Sequence, residues 1–404
     1  MTTLTADPPT TATTATTAEL RGLTWDHPRG YRPLEELARL DASLPPGCET
    51  VGRPLRWERQ PLSGFESTPI ATLAETYDIL VVDHPGLGSA VAAGCLVPME
   101  ELFGAAELEA WRAGSVGASY DSYALDGRTW ALPLDAAAQV AAHRPDLMGE
   151  VPLPRSWGEV SELPARLQVT LCLGGPHAFL TFCSLILAQG ERPLADDGDA
   201  VVSRESGLAA LETMAELAAR TPRDLLSANP IGVLRAMAAG SGPAYCPLVY
   251  GYVTYTRAGP YPLAFTDAPG WRPGGPAGSV LGGAGLAVSA RRTGDPVTSD
   301  AVRDHLRRLL GAPVQRELFP VTGGQPAARA AWTDPWTNER WDGFYRATLG
   351  TVEQAWVRPR RAGYPVFQAA ASRLLREGLA ERRPYGALLD ALDACFRDWK
   401  GEKP

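Results

Sequence analysis

The sequence predicts an α/β fold built in two parts, and three observations carry that reading. Short strand, loop and helix patterns recur near the start. A continuous aliphatic run, Ile79 to Val82, has the character of a buried parallel strand. The chain of 404 residues is longer than one ordinary hydrophobic core supports.

Taken in order, LRGLTW is a short apolar strand ending at Trp25. The polar loop DHPRGY follows, and PLEELARL places Leu34, Leu37 and Leu40 at helical spacing. The same order returns at YDILVVDHPGLGSAVAAGCLVPMEEL, where Asp83, His84 and Pro85 open a loop before a helix of small residues. A turn at Asp126-Gly127 precedes a strand from Trp130 to Leu134, and a further strand ends near His143. Ser156 with Glu159 three residues on is a capping-box signature. Helical patterns continue through FLTFCSLILAQG and GLAALETMAELAAR. Short strands are expected around PLVYGYV and PLAF, and GLAVSARRTGDPVTSDAVRDHLRRLL reads as strand, loop and amphipathic helix. The remainder is mostly helical.

Composition narrows the function. Hydrophobic residues make up 45% and charged residues 21%, so most of the chain can fold around a core. A net charge of -8 with no dense Lys/Arg run excludes a nucleic-acid partner. The cysteines Cys48, Cys95, Cys172, Cys183, Cys246 and Cys395 are scattered, which indicates free thiols rather than a metal ribbon or disulfide framework. Residues 1–18 hold Leu4 as their one large aliphatic side chain after Met1 and read as a disordered tail. No Lys or Arg precedes Arg21, so an export signal is not expected and the chain is placed in the cytoplasm as written. A different start would move it outside. No run is long and apolar enough for a membrane helix, so membrane insertion is not expected.

The order and spacing of several segments resemble the family 1 extracellular solute-binding proteins, the group that includes the maltose-binding protein. These segments run from about Leu20 to Ala391: WDHPRGYRPLEELARL, YDILVVDHPGLGSAVAAGCLVPMEEL, GRTWALPLDAAAQVAAHRPDLM, PRSWGEVSEL, GSVLGGAGLAVSARRTGDPVTSDAVRDHLRRLLGAPVQRELFPVTGG and RPRRAGYPVF. The resemblance implies a two-lobed periplasmic-binding-protein type 2 fold with crossing hinge strands and a central ligand cleft. One lobe is expected from residues 19–133 and 262–315, the other from residues 134–261 and 316–404. Sugar-binding members carry aromatic platforms whose positions fall near Val82, Cys183 and Ala244 here, so those platforms are not expected. Thiamine-cleaving enzymes of the same fold use a cysteine where this chain reads Leu134, Asp135 and Ala136.

The loop Trp25-Asp26-His27-Pro28-Arg29-Gly30-Tyr31 gathers an indole, a carboxylate, an imidazole, a guanidinium and a phenol at the end of a strand. In open α/β sheets that is where ligands bind. Arg29 occupies the place of a ligand-contacting basic side chain in the family, and its fork suits a carboxylate or phosphate. Trp25, Arg29 and Tyr31 are therefore candidate ligand contacts. The plainer alternative is a turn in which Asp26 caps backbone N–H groups and Trp25 packs inside. Asp135, His177, Tyr250, Tyr252 and Gly283 are further candidates for the cleft. Gly282-Gly283-Ala284-Gly285 suits close backbone approach or a hinge. Trp332, Trp336 and Trp341 suit a lid or, more plainly, local core.

Two functions follow. The first is capture of a small polar organic molecule, anionic if Arg29 reads it, with an ABC permease as partner if the chain is exported. The second is a cytoplasmic enzyme derived from this fold, an isomerase, lyase or cyclase, with His27 or His84 moving protons beside Asp26 and Asp83. No metal spacing and no cofactor motif is present: GGAG lacks the lysine and the order of a phosphate loop.

Overall fold

A strand shared between two halves of one sheet organises the molecule. The computed structural model describes residues 19–43, 53–195, 198–240, 242–292 and 296–401. The expected tail and Cys48 lie outside the described residues. The strands are β1 (Leu20–Trp25), β2 (Leu55–Gln60), β3 (Ile79–Val82), β4 (Ala124–Leu125), β5 (Arg128–Thr129), β6 (Leu132–His143), β7 (Tyr245–Tyr250), β8 (Ala264–Thr266) and β9 (Leu281–Val288). They form a mixed sheet in the order β2-β1-β3-β9-β6-β7, with β8 also on β6 and β4–β5 a separate short hairpin. The hairpin turns at Asp126 and Gly127, both at positive φ (52° and 75°), as an Asp-Gly turn requires.

β6 is one strand, where the sequence suggested two. Residues Leu132 to Ala138 pair antiparallel with β9, and Gln139 to His143 pair with β7, with β8 joining at Ala141 to His143. Irregularities in register fall between Pro133 and Asp135 and between Val140 and Ala142, which bend the strand as it passes between the halves. The bridge between Val280 and Trp356 adds a further crossing segment.

The first half packs β1, β3 and β9 between two apolar layers. Leu20, Leu34, Leu37, Ile79 and Leu306 meet on one side, and Leu23, Leu80, Val82 and Leu87 meet on the other. Helix α1 (Pro28–Ala42) covers the former side, and α2 (Leu62–Ser67) lies at the end of β2. The second half sets Val140, Val249, Trp332 and Phe344 on one face and Tyr245, Phe179, Leu211, Phe367 and Trp399 on the other. Its helices are α3 (His177–Ala188), α4 (Arg204–Arg220), α5 (Phe344–Gln354), α6 (Tyr364–Ala380) and α7 (Tyr385–Gly401). The capping box at Ser156 and Glu159 is formed. Trp332 and Trp341 are core residues and Trp336 is exposed, so these three do not make a lid.

Candidate functional site

The ends of β1 and β3, the crossing pair β6 and β9, the first turn of α3 and the segment before α6 converge on one cavity of about 590 Å³, counted out to its mouth. Trp25, Arg29, Phe65, Glu66 and Asp83 reach it from the first half. His177, Leu180, Tyr250, Tyr252 and Gln368 reach it from the second. Asp135, Ala137, Gly282, Gly283 and Ala284 form its floor on the crossing strands, and Arg358 closes it from the segment after α5.

Both arginines are already bound. Arg29, carried by the first turn of α1, donates Nε to Asp135 Oδ2 at 3.0 Å and Nη2 to Asp135 Oδ1, and gives Nη1 to the Gly251 carbonyl at 2.9 Å. Burial raises the Asp135 carboxyl above its ordinary range while Arg29 pulls the other way. Arg358 donates Nη2 to both oxygens of Asp83, at 2.8 and 2.9 Å. Burial alone would push the Asp83 carboxyl up, but Arg358 and His84 outweigh it and hold it at about 2. Each guanidinium thus faces a carboxylate of its own chain, which corrects the expectation that the fork of Arg29 waits for an anionic ligand.

Other polar groups of the lining are uncommitted. Among the described residues, the Tyr252 hydroxyl, the Trp25 Nε1–H and the Gln368 amide nitrogen have no hydrogen-bond partner, and neither does the buried His177 Nε2. The Glu66 carboxylate lies 3.4 Å from that nitrogen, across the cleft. Rings surround these groups: Trp25 and Phe65 have centroids 5.3 Å apart, and His177 stands edge-on to Tyr250 at 5.7 Å. Tyr252 carries the Arg29 guanidinium 4.7 Å above its ring, while the Tyr250 hydroxyl donates to the Leu281 carbonyl at 3.3 Å. Rings and free donors thus share one lining.

Of the predicted site residues, Trp25, Arg29, Asp83, Asp135, His177, Tyr250, Tyr252 and Gly283 meet at the cavity. His27, His84, Asp26 and Tyr31 are not among its lining residues. His27, rather than Asp26, caps α1: its Nδ1 accepts from the Arg29 N–H at 3.1 Å, and its ring packs edge-on against Tyr252. Desolvation, helped by Arg29, lowers its pKa to about 3. His84 is fully buried behind Asp83, with Nδ1 3.3 Å from Oδ1, and burial lowers its pKa to about 4. Asp26 is exposed and faces Arg59 at 3.6 Å, and Tyr31 lies under the same guanidinium at 3.4 Å. Histidines held neutral outside the cavity do not supply the proton shuttle of the acid–base reading.

Glu66, Phe65, Gln368 and Arg358 were missed by sequence reasoning. Glu66 and Phe65 belong to a one-and-a-half-turn helix with no distinctive motif, and Arg358 stands among several arginines in RPRRAGYPVF. Asp83 was singled out, but nothing near it in sequence names a partner 275 positions away.

Among the described residues no group of His, Cys, Asp or Glu is arranged to hold a metal ion, and no helix is long and apolar enough to cross a membrane. No protein-family model matches the chain. Solved structures do. An ABC transporter solute-binding protein from Agrobacterium radiobacter K84, in complex with ribitol, superposes with a TM-score of 0.78 at 21% identity, over 95% of this chain and 99% of that one. Maltose-bound MalE3 of T. maritima gives 0.77 at 18% identity, over 94% and 99%. A solute-binding protein from Agrobacterium vitis S4 with bound D-mannitol gives 0.72 at 15% identity, over 95% and 98%. The chain has the two-lobed solute-binding-protein fold. In that fold the cavity described above is the interlobe cleft, and β6 and β9 are the crossing strands. Val82, Cys183 and Ala244 are buried away from it, and its rings come instead from Trp25, Phe65, Tyr250 and Tyr252.

Proposed function

We propose that the chain captures one small polar, hydroxyl-bearing solute by closing its lobes around it, and releases it unchanged. The observation that carries this is the composition of the cleft. Its arginines are neutralised internally, while rings and uncommitted donors from both halves face one cavity. Contacts from both lobes to one ligand favour the closed arrangement, and a preformed lining keeps the ordering cost low. The neighbours of similar fold that hold ribitol, maltose and D-mannitol support a polyol or sugar as the ligand class. Delivery to an ABC permease belongs to the same proposal.

The test is to incubate the purified protein with the small-molecule fraction of its source cells and to analyse bound and free pools by mass spectrometry. One metabolite recovered unchanged at one equivalent per chain is the expected result. A new mass accumulating beyond one equivalent would establish turnover and overturn the reading.

A further inference from the structure

The arginines and carboxylates of the cleft are unequal in number: its lining holds Arg29 and Arg358 against Asp83, Asp135 and Glu66. Each arginine is engaged by one aspartate. Glu66 is the carboxylate left over. Its side chain is 23% exposed, and it meets His177 Nε2 at 3.4 Å without a hydrogen bond. It faces the turn Gly174-Gly175-Pro176 at the start of α3: a Cβ on Gly175 would lie 3.9 Å from Glu66 Oε2. Phe65 precedes Glu66 on the same short helix and packs against Trp25, and both rings line the same cavity as Glu66.

A carboxylate that loses water on closure needs a cation or a full set of donors. Aromatic rings and a carboxylate lining one cavity are the chemistry that holds an ammonium group. We infer that the captured solute is a hydroxylated amine, and that Glu66 is the specificity residue that pairs with its ammonium. This rests on the capture reading above. Hydroxyls of the same molecule take the Tyr252, Trp25 and Gln368 groups. An acid of the same frame meets Glu66 as a like charge, while both guanidinium forks are occupied.

Two matched sets of probes test this by calorimetry at neutral pH. Glucamine, sorbitol and gluconate share an open six-carbon frame, and glucosamine, glucose and glucuronate share a ring. In at least one frame the amine is expected to bind at least tenfold more tightly than the neutral compound, with no binding of the acid. Glu66→Gln, with an unchanged thermal midpoint, is expected to bring amine and neutral compound within about twofold of each other, while His177→Gln keeps the preference. Tightest binding of the neutral compound or of the acid, or a preference that survives Glu66→Gln, overturns the inference and leaves capture standing. Loss of the preference in His177→Gln, with Glu66 intact, assigns the selection to the histidine and also overturns it. If no probe of either frame binds, this inference falls, and capture itself falls only if the mass-spectrometric experiment also recovers no solute.

Discussion

Arg358 Nη2 sits 2.8 and 2.9 Å from the two carboxylate oxygens of Asp83, joining the segment that leads into α6 to the end of β3. Arg358 is 4% exposed, so its charge has little recourse to water. Asp83→Asn removes the charge that compensates it, and breaking a buried pair from one side costs about 3–5 kcal/mol. Urea unfolding is expected to show a loss of that order. A loss below about 1 kcal/mol would mean that water reaches the guanidinium.

The same pair makes stability depend on acid. The folded pKa of Asp83, about 2, lies below the ordinary carboxylate value, so its contribution is complete above roughly pH 4 and is lost as pH falls from there toward 2. The histidines act at higher pH. His27 is lowered to about 3, and His84 and His143 to about 4, in each case chiefly by desolvation. Below the ordinary value near 6.5 the unfolded chain takes up protons that the folded chain refuses, and stability falls with pH until the folded values are reached. His27→Asn keeps a side-chain acceptor at the helix cap and removes one such group. Between pH 6 and 4 the slope of unfolding free energy against pH is expected to drop by up to about 1.4 kcal/mol per pH unit. An unchanged slope would mean that His27 protonates freely in the folded state.

The fold was legible where local pattern and tertiary environment agree. Ile79 to Val82 is buried throughout because strands on both sides and layers on both faces enclose it. β6 was legible only in part, because Pro133, Asp135 and the run of alanines lack β propensity, and pairing with β9, β7 and β8 imposes the strand. At the site, Trp25 and Arg29 were readable from a polar loop after a strand. Glu66 and Arg358 were not, because their roles come from contacts with His177 and Asp83, residues far away in the sequence. His27 misled for a physical reason: an imidazole nitrogen satisfies an N-cap much as an Asp or Ser oxygen does.

Gly283 sits at φ 99° on the cavity floor, and a Cβ there would lie 2.4 Å from the Asp135 carbonyl oxygen. Gly283→Ala must push β9 away from β6 or strain the backbone, at a cost of roughly 1–3 kcal/mol. Gly127→Ala is the control, since its φ is also positive at 75° but nothing lies within 4 Å. Thermal unfolding is expected to rank Gly283→Ala well below Gly127→Ala, and only the former is expected to lose solute binding. Equal effects would assign the whole cost to backbone conformation and none to the close crossing of the strands.

Tyr250 and Tyr252 both reach the cleft, but their hydroxyls have different duties. Tyr250 donates to Leu281 at 3.3 Å and so ties β7 to β9, whereas the Tyr252 hydroxyl has no partner among the described residues. A hydroxyl kept free in a cleft is available to a solute, and one neutral hydrogen bond contributes about 0.5–1.5 kcal/mol. Tyr252→Phe retains the ring under Arg29, so its stability should match that of the parent while affinity for the captured solute falls roughly two- to tenfold. Tyr250→Phe should do the reverse, lowering the unfolding midpoint with little change in affinity. Calorimetry and thermal melts on the two variants separate these outcomes. An affinity loss confined to Tyr250→Phe would place the solute against β7 and α3 rather than beneath Arg29.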